Sequence, residues 1–289
     1  MTNLPTAILG KTGIEVTRLG YGAGHRKPMT EQENQAMVRR VVDSGIKLID
    51  TANDYGNSEE MIGLAIADRY SELTVSTKCG CSPSGHIWTR DNLFRGLHES
   101  LDRLKTDCID VMQFHGGTVQ DFTRDGSVEA LQEMREQGLV KWIGASTNLP
   151  DLPTFIEWDV FDIFQLPYSA LDRTHEDWIT KAAEAGAGIL IRGGVALGEP
   201  NVGKGSEAEW QKFEEASLDE LREDGESRTA FVLRFVLTHP FTHSNLVGTT
   251  SPKHLHENIE AMLRGPLSSD VYAEAKRRLD GVGVTATPV

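Results

Sequence analysis

The sequence predicts an α/β barrel of the TIM class: eight β/α units, a β-hairpin in front and extra helices late in the chain. Three observations carry that prediction. Short apolar runs rich in Ile, Val and Leu alternate with helix-periodic stretches over about 250 residues, the typical length of such a barrel. No shift in composition marks a boundary, so residues 1–289 read as a single domain. An open doubly wound sheet would carry an early G-x-G-x-x-G. Here Gly20-Tyr21-Gly22-Ala23-Gly24 runs into a turn-like Lys27-Pro28-Met29-Thr30, and Gly24 falls one position too early.

The elements follow in order. Residues 6–9 and 14–16 flank Gly10-Lys11-Thr12-Gly13, a turn by composition, and form the hairpin. Residues 18–23 are a first strand ending in glycines. Residues 31–44 are a helix through Ala36, Met37, Val38, Val41 and Val42, closed by Gly45. Strand 47–50 delivers Asp50. Five residues on, Tyr55 sits in a turn rich in Asn, Asp and Gly, ahead of helix 58–69, with Asn57 or Ser58 as its N-cap and Glu59 and Glu60 suiting its dipole. Then come strand 73–78, a helix opened by Thr89-Arg90-Asp91, strand 109–115, helix 128–137, strand 140–146, helix 150–158, strand 161–166, helix 175–185 and strand 188–192. The charged stretch 199–226 has helical spacing at Trp210, Phe213, Leu218 and Leu221. Helix 227–238, strand 244–250 and helices 255–263 and 271–279 complete the chain.

Composition narrows the function classes. No apolar run approaches a membrane span, and the N-terminus lacks a basic-then-apolar leader. The cysteines, Cys79, Cys81 and Cys108, are few and odd in number, which points to a reducing compartment; a cytoplasmic protein is expected. A net charge of −14 disfavours nucleic acid and anionic membrane as partners, so any phosphate site must be built locally. Cys79-Gly80-Cys81 without a second pair makes a poor zinc site, so these cysteines read as core or incidental and no metal is expected.

Strand ends carry the chemistry of a parallel barrel. Asp50 ends the second strand, Lys78 the third and His115 the fourth, with Tyr55 in the loop after the second. Singly, each has an ordinary reading: a turn cap, a lid aromatic, a solvated cation, a structural histidine. Together they permit a specific reaction. A phenol, with a pKa near ~10, is a poor acid at neutral pH. A lysine ammonium within hydrogen-bond range lowers that value, an aspartate holds the lysine, and a histidine orients a carbonyl oxygen or relays the proton. Such a set protonates the oxygen of a carbonyl that is receiving a hydride, with no metal.

At these residues the chain resembles the aldo-keto reductase superfamily, over about residues 5–265. Leu9-Gly10-Lys11-Thr12-Gly13 through Gly20 is similar to its N-terminal hairpin motif, and Asp50-Thr51-Ala52-Asn53-Asp54-Tyr55-Gly56 to its Asp-Thr-Ala…Tyr-Gly signature. Thr77-Lys78, Phe114-His115, Gly138 to Ser146, Phe164-Gln165-Leu166-Pro167-Tyr168 and Gly248 to Asn258 follow in the family's order. The resemblance implies a (β/α)8 barrel, a catalytic tetrad of Asp50, Tyr55, Lys78 and His115 with Tyr55 as general acid, and NADPH or NADH as cofactor. It places Gly22, Ala23 and Asp50 beside that cofactor, and Ser146, Thr147 and Gln165 at the nicotinamide carboxamide. It gives the loop Gly193, Gly194 to Leu197 to the pyrophosphate. Gly248, Thr249, Thr250, Lys253, His254, Glu257 and Asn258 fall at the adenosine end, where NADPH is the expected preference. Two departures stand out. Thr147 replaces a common asparagine, and Arg192 stands where the family often stacks an aromatic ring; a guanidinium can stack, contact substrate, or pair with an acidic loop.

The expected substrate is a small carbonyl compound or alcohol, weakly suggested to be polar by Trp88, residues 118–125 and residues 199–226 around the mouth. Oligomeric state is not legible. Two other readings are weighed: a cofactor-binding regulatory or sensor protein on the same barrel, and an aldolase-like barrel with Lys78 as a Schiff-base lysine. The intact tetrad argues against the first. Against the second, an aspartate partner favours an ammonium over a nucleophilic amine.

Overall fold

The computed structural model describes residues 3–24 and 29–289; the turn expected at Lys27-Pro28 lies outside the described residues. Eight parallel strands close a barrel in chain order: β1 (Leu19–Gly22), β2 (Leu48–Asp50), β3 (Thr74–Cys79), β4 (Ile109–His115), β5 (Val140–Ser146), β6 (Ile163–Pro167), β7 (Gly188–Arg192) and β8 (Ser244–Val247). Closure is made by β8 on β1, with Asn245, Leu246 and Val247 opposite Leu19, Gly20 and Tyr21. Strands buried on both faces read as continuous apolar runs, which is why β4, β5 and β7 have the bounds expected from sequence.

The helices pack outside: α1 (Glu31–Asp43), α2 (Ser58–Ile66), α3 (Arg90–Leu104), α4 (Val119–Arg124), α5 (Ser127–Glu136), α6 (Leu152–Glu157), α7 (Glu176–Glu184), α8 (Glu207–Glu215), α9 (Arg228–Thr238), α10 (Pro252–Arg264) and α11 (Ser269–Gly281). α1 starts at a full capping box between Thr30 and Glu33. α9 is buried nearly throughout, and its Arg234 is satisfied by Glu226, Glu223 and the carbonyls of Gly265 and Pro266. Among the described residues no helix is long and apolar enough to cross a membrane.

The hairpin, Thr6–Ile8 with Glu15–Thr17, seals the N-terminal end of the barrel. Leu9 and Val16 join Leu48, Val111, Ile163, Leu190 and Leu246 in a buried cluster inside it. The approach is close: a Cβ on Gly10, whose φ is +53°, would sit 2.3 Å from the backbone nitrogen of Gly188. The opposite, C-terminal end stays open for the site.

Several boundaries differ from the sequence reading. Helix α2 ends at Ile66 rather than residue 69, and a 3-10 turn, Tyr70–Glu72, follows. Asn57 holds the N-cap position without a side-chain bond. Ser58 instead accepts from Thr51 (2.9 Å) and donates to the carbonyl of Ala23 (3.3 Å), tying the loop to the barrel. Strand β8 stops at Val247, and α10 begins at Pro252 rather than residue 255, because a proline's fixed φ suits the first helical position. Residues 118–125 hold the short helix α4, opened by a Thr118–Asp121 capping box. A two-stranded ribbon, Cys81–Ser82 with Gly85–His86, follows β3 and had no period to announce it.

Candidate active site

Asp50, Lys78 and His115 come from the C-terminal parts of β2, β3 and β4, so barrel register alone brings them together. The Lys78 ammonium donates to Asp50 Oδ2 at 2.6 Å and to the carbonyl of Thr51 at 2.8 Å. The other carboxylate oxygen accepts from Gln165 Nε2 (2.9 Å) and Gln113 Nε2 (3.2 Å). Lys78 is 1% exposed and Asp50 5%, so this is a buried ion pair whose charges are satisfied by hydrogen bonds. Ser146 fixes the second glutamine by donating to Gln165 Oε1 at 3.0 Å.

Tyr55 lies over this pair, in the loop between β2 and α2, with Lys78 Nζ 5.3 Å from its ring centroid. Gly24 makes room: a Cβ there would come within 2.8 Å of the phenol ring. Burial raises the Tyr55 phenol above its ordinary value; the Asp50 and Asp54 carboxylates add to the rise, and Arg192 opposes it. This corrects the expectation that Lys78 lowers the phenol. The ammonium directs its bonds to Asp50 and Thr51, and a lysine paired with an aspartate presents little net charge to the ring.

The His115 ring meets Tyr55 edge-on, centroids 5.6 Å apart. Burial, then the Lys78 and His86 charges, hold its imidazole down to about 4 against the opposing pull of Asp54 and Asp50. It is therefore neutral at physiological pH.

A cavity of about 510 Å³ opens in front of these groups. Of the residues expected around a cofactor, Gly22, Asp50, Gln165, Arg192, Gly193, Gly194, Leu197, Gly248, Thr249, Thr250 and His254 line it, as does Tyr55. Ala23, Ser146, Thr147 and Asn258 are buried in the surrounding wall rather than facing it. Lys253 and Glu257 stand apart from the cleft. Their side chains are exposed and pair with each other at 3.5 Å. Ser251, a hydroxyl of the 248–254 segment expected at the adenosine end, also lines it, as does Lys204, which sequence reasoning did not single out. Lys204 is carried there by a loop that folds back, its N–H bonding the carbonyl of Leu197 at 2.8 Å, and nothing periodic in the sequence marks such a fold.

Arg192 ends β7 and donates to Asn148 Oδ1 at 2.5 Å, with no acidic hydrogen-bond partner among the described residues. Trp88, expected at the mouth, is buried against Phe114 and Phe122, where Gly80 and Gly117 leave space for its ring. The loop after β2, the ribbon after β3 and the end of β4 also bring Asp54, Cys81, His86 and His115 together. Cys79 is not part of that group; its thiol faces the Gln113 carbonyl.

The residues present fit an anionic cofactor bearing a polar ring. The cavity offers Arg192, Lys204, hydroxyls of Thr249, Thr250 and Ser251, and the N-terminal end of α10. A Cβ on Gly194 would collide at 2.3 Å with the amide of Asn245, whose buried amide atoms have no hydrogen-bond partner among the described residues. A Cβ on Gly248 would lie 2.8 Å from the Gly22 carbonyl. Glycines thus keep the backbone walls of the cavity accessible.

Comparison with known proteins agrees with this fold. The model of the Aldo/keto reductase family matches residues 18–279. The uncharacterized oxidoreductase YqkF of Bacillus subtilis is 28% identical, with 88% of this chain and 89% of that protein covered. The holo form of aldo-keto reductase AKR11C1 from Bacillus halodurans superposes with a TM-score of 0.87 at 23% identity, over 99% of this chain and 98% of that one. An aldo/keto reductase from Klebsiella pneumoniae, solved in complex with NADP and acetate, gives 0.76 at 22% identity over 95% of each chain.

Proposed function

The chain belongs to the Aldo/keto reductase family, and from that premise we propose that it reduces a small aldehyde or ketone to the alcohol, with NADPH preferred and NADH possible. The observation that carries the reading is the buried Asp50–Lys78 pair, 2.6 Å apart, under a phenol that remains protonated. When bound, the reduced nicotinamide supplies the hydride. The residues do the rest. Gln165, which lines the cavity and is held by Ser146, meets the carboxamide edge, and the Gly193–Leu197 loop with Lys204 takes the pyrophosphate. Thr249, Thr250 and His254 receive the adenosine phosphate end. Neutral His115 orients the carbonyl oxygen, and Tyr55 donates its proton to that oxygen as negative charge develops there. Lys78, held by Asp50, forms the fixed ion pair beneath the ring, and the Arg192 charge, which opposes the rise of the phenol, stabilises the phenolate left behind. A phenol raised by burial stays in its proton-bearing form near neutral pH, the form reduction needs; alcohol oxidation needs the phenolate and gains as pH rises. The cytoplasm is the proposed location, resting on three free cysteines.

Tyr55→Phe tests the assignment. It keeps the ring and removes the proton donor, so kcat should fall by about 10²-fold or more while NADPH binding barely changes. Near-wild-type turnover in this variant would remove Tyr55 from the mechanism. A protein that binds NADPH but turns over no member of a broad carbonyl panel would favour a sensor instead.

A further inference from the structure

Three side chains beside the tetrad, Asp54, Cys81 and His86, join its own His115 in a donor set that carbonyl reduction does not account for. Asp54 lies in the loop before α2, Cys81 and His86 face each other across the ribbon after β3, and His115 ends β4. One donor atom from each lies within 4.8 Å of all the others. Cys81 Sγ is 3.3 Å from His115 Nδ1 and 3.7 Å from His86 Nε2, and His115 Nδ1 is 3.3 Å from Asp54 Oδ1. A tetrahedral zinc ion with bonds of about 2.3 Å to sulfur and about 2.0–2.1 Å to nitrogen or oxygen has S···N edges of about 3.6 Å and N···O edges of about 3.4 Å. These three contacts match the edges of that tetrahedron to within a few tenths of an ångström.

The chemistry of the set agrees with its spacing. Thiolate, imidazole and carboxylate together suit zinc over magnesium or calcium, which take oxygen ligands. A carboxylate and a thiolate offset the two charges of the ion. Cys81 is buried while Asp54 and His86 are exposed, so the ion has an anchored ligand and a path in from solvent. Four protein ligands fill a tetrahedral shell and leave no open position, the arrangement of a non-catalytic site.

We propose that Asp54, Cys81, His86 and His115 bind one Zn²⁺ ion, and that occupancy holds His115 in the coordination shell and lowers carbonyl reduction. The Zn–S bond forms as the Cys81 proton leaves to solvent. The ion also fastens Asp54, one residue from Tyr55, to the ribbon, so two groups of the tetrad lose their freedom to adjust to substrate. The inhibitory part rests on the reduction proposed above; the binding part does not.

The test uses the full chain stripped with chelator. Calorimetric titration with Zn²⁺ should give one equivalent per chain. Co²⁺ should give tetrahedral d–d bands and a thiolate charge-transfer band in the near ultraviolet. Cys81→Ser should abolish the charge-transfer band, and Cys81→Ser and His86→Ala should each weaken Zn²⁺ binding by at least about 100-fold, since even outer-shell partners are worth 10–100-fold. Thermal melts confirm folding, and the exposed His86 supplies a second variant if Cys81→Ser fails to fold. His86→Ala should lose zinc inhibition, its turnover being equal with zinc and with chelator. Unchanged Zn²⁺ affinity in the folded variants, or a cobalt spectrum without the thiolate band, would overturn the site. Tight zinc binding with an undiminished reduction rate would overturn the inhibition. A zinc-free wild type without turnover would count against the reduction alone, leaving the binding result to stand.

Discussion

Replacing Lys78 by methionine should cost far more stability than one lost surface ion pair. The lysine is 1% exposed, and its removal leaves the Asp50 carboxylate buried with only Gln113 and Gln165 donating to it. Breaking one side of a buried pair costs about 3–5 kcal/mol, against ~0–1 for exposed pairs. Asp50→Asn alone sets an amide N–H₂ against the lysine or against the glutamine donors, so it too is destabilising, by about 1–3 kcal/mol for a mismatched buried group. The double variant removes both conflicts. The asparagine oxygen can accept from Gln113 and Gln165, and its amide can face the Thr51 carbonyl that Lys78 now bonds at 2.8 Å. Asp50→Asn with Lys78→Met should therefore be more stable than Lys78→Met alone, with a coupling energy above about 1.5 kcal/mol, while all three variants lose turnover. Urea unfolding of the wild type and the three variants measures it. A Lys78→Met protein within about 1 kcal/mol of wild type, or a double variant no more stable than that single one, would refute the reasoning.

Arg192→Ala removes a guanidinium that lines the cavity and bonds Asn148, so substrate KM or cofactor Kd should rise roughly 10-fold or more with little change in melting temperature; lost stability with intact constants would make Arg192 structural. Titrating both reduced cofactors should show NADPH binding tighter by about 1–2 kcal/mol, with His254→Ala narrowing the margin and Lys253→Ala leaving it, because only His254 lines the cleft; equal affinities would remove the 2′-phosphate site. Burial holds the His239 imidazole down to about 4 in the folded protein. Against an unfolded value near ~6.5, the unfolded chain binds the extra proton between those values, so stability present above about pH 6.5 is lost as pH falls. From pH 7.5 to 5 this site alone should remove at most about 2 kcal/mol, read from denaturant midpoints; a His239→Asn variant with the same acid slope would reject it.

The barrel was legible because its strands are apolar runs bounded by turn signals, and the tetrad because polar residues at consecutive strand ends have few structural uses. What stayed hidden depends on chain folded back on itself. Lys204 reaches the cleft through a loop without periodicity. Cys81 and His86 meet across strands of two residues each, too short for any alternation to register. Trp88 sits in a loop by sequence, yet its burial is decided by the missing side chains of Gly80 and Gly117. The Tyr55 environment was misjudged for a different reason: proximity of a lysine says nothing about where its hydrogen bonds go.

The hairpin that seals the barrel also sets an order of events during synthesis. Leu9 and Gly10 emerge early, but the chain they pack against, Gly186 to Gly188, emerges almost two hundred residues later. Strand β1 likewise waits for β8 before its second edge is paired. Closing such long loops adds little entropy beyond that of a medium one, since the cost grows only logarithmically with length, so stability does not suffer. Time does: until β8 arrives, the nascent sheet has two open edges and a lower apolar layer without its lid. Chains truncated before residue 244 should therefore collect as aggregates rather than as a smaller folded barrel, and the hairpin settles only against chain made long after its own strands.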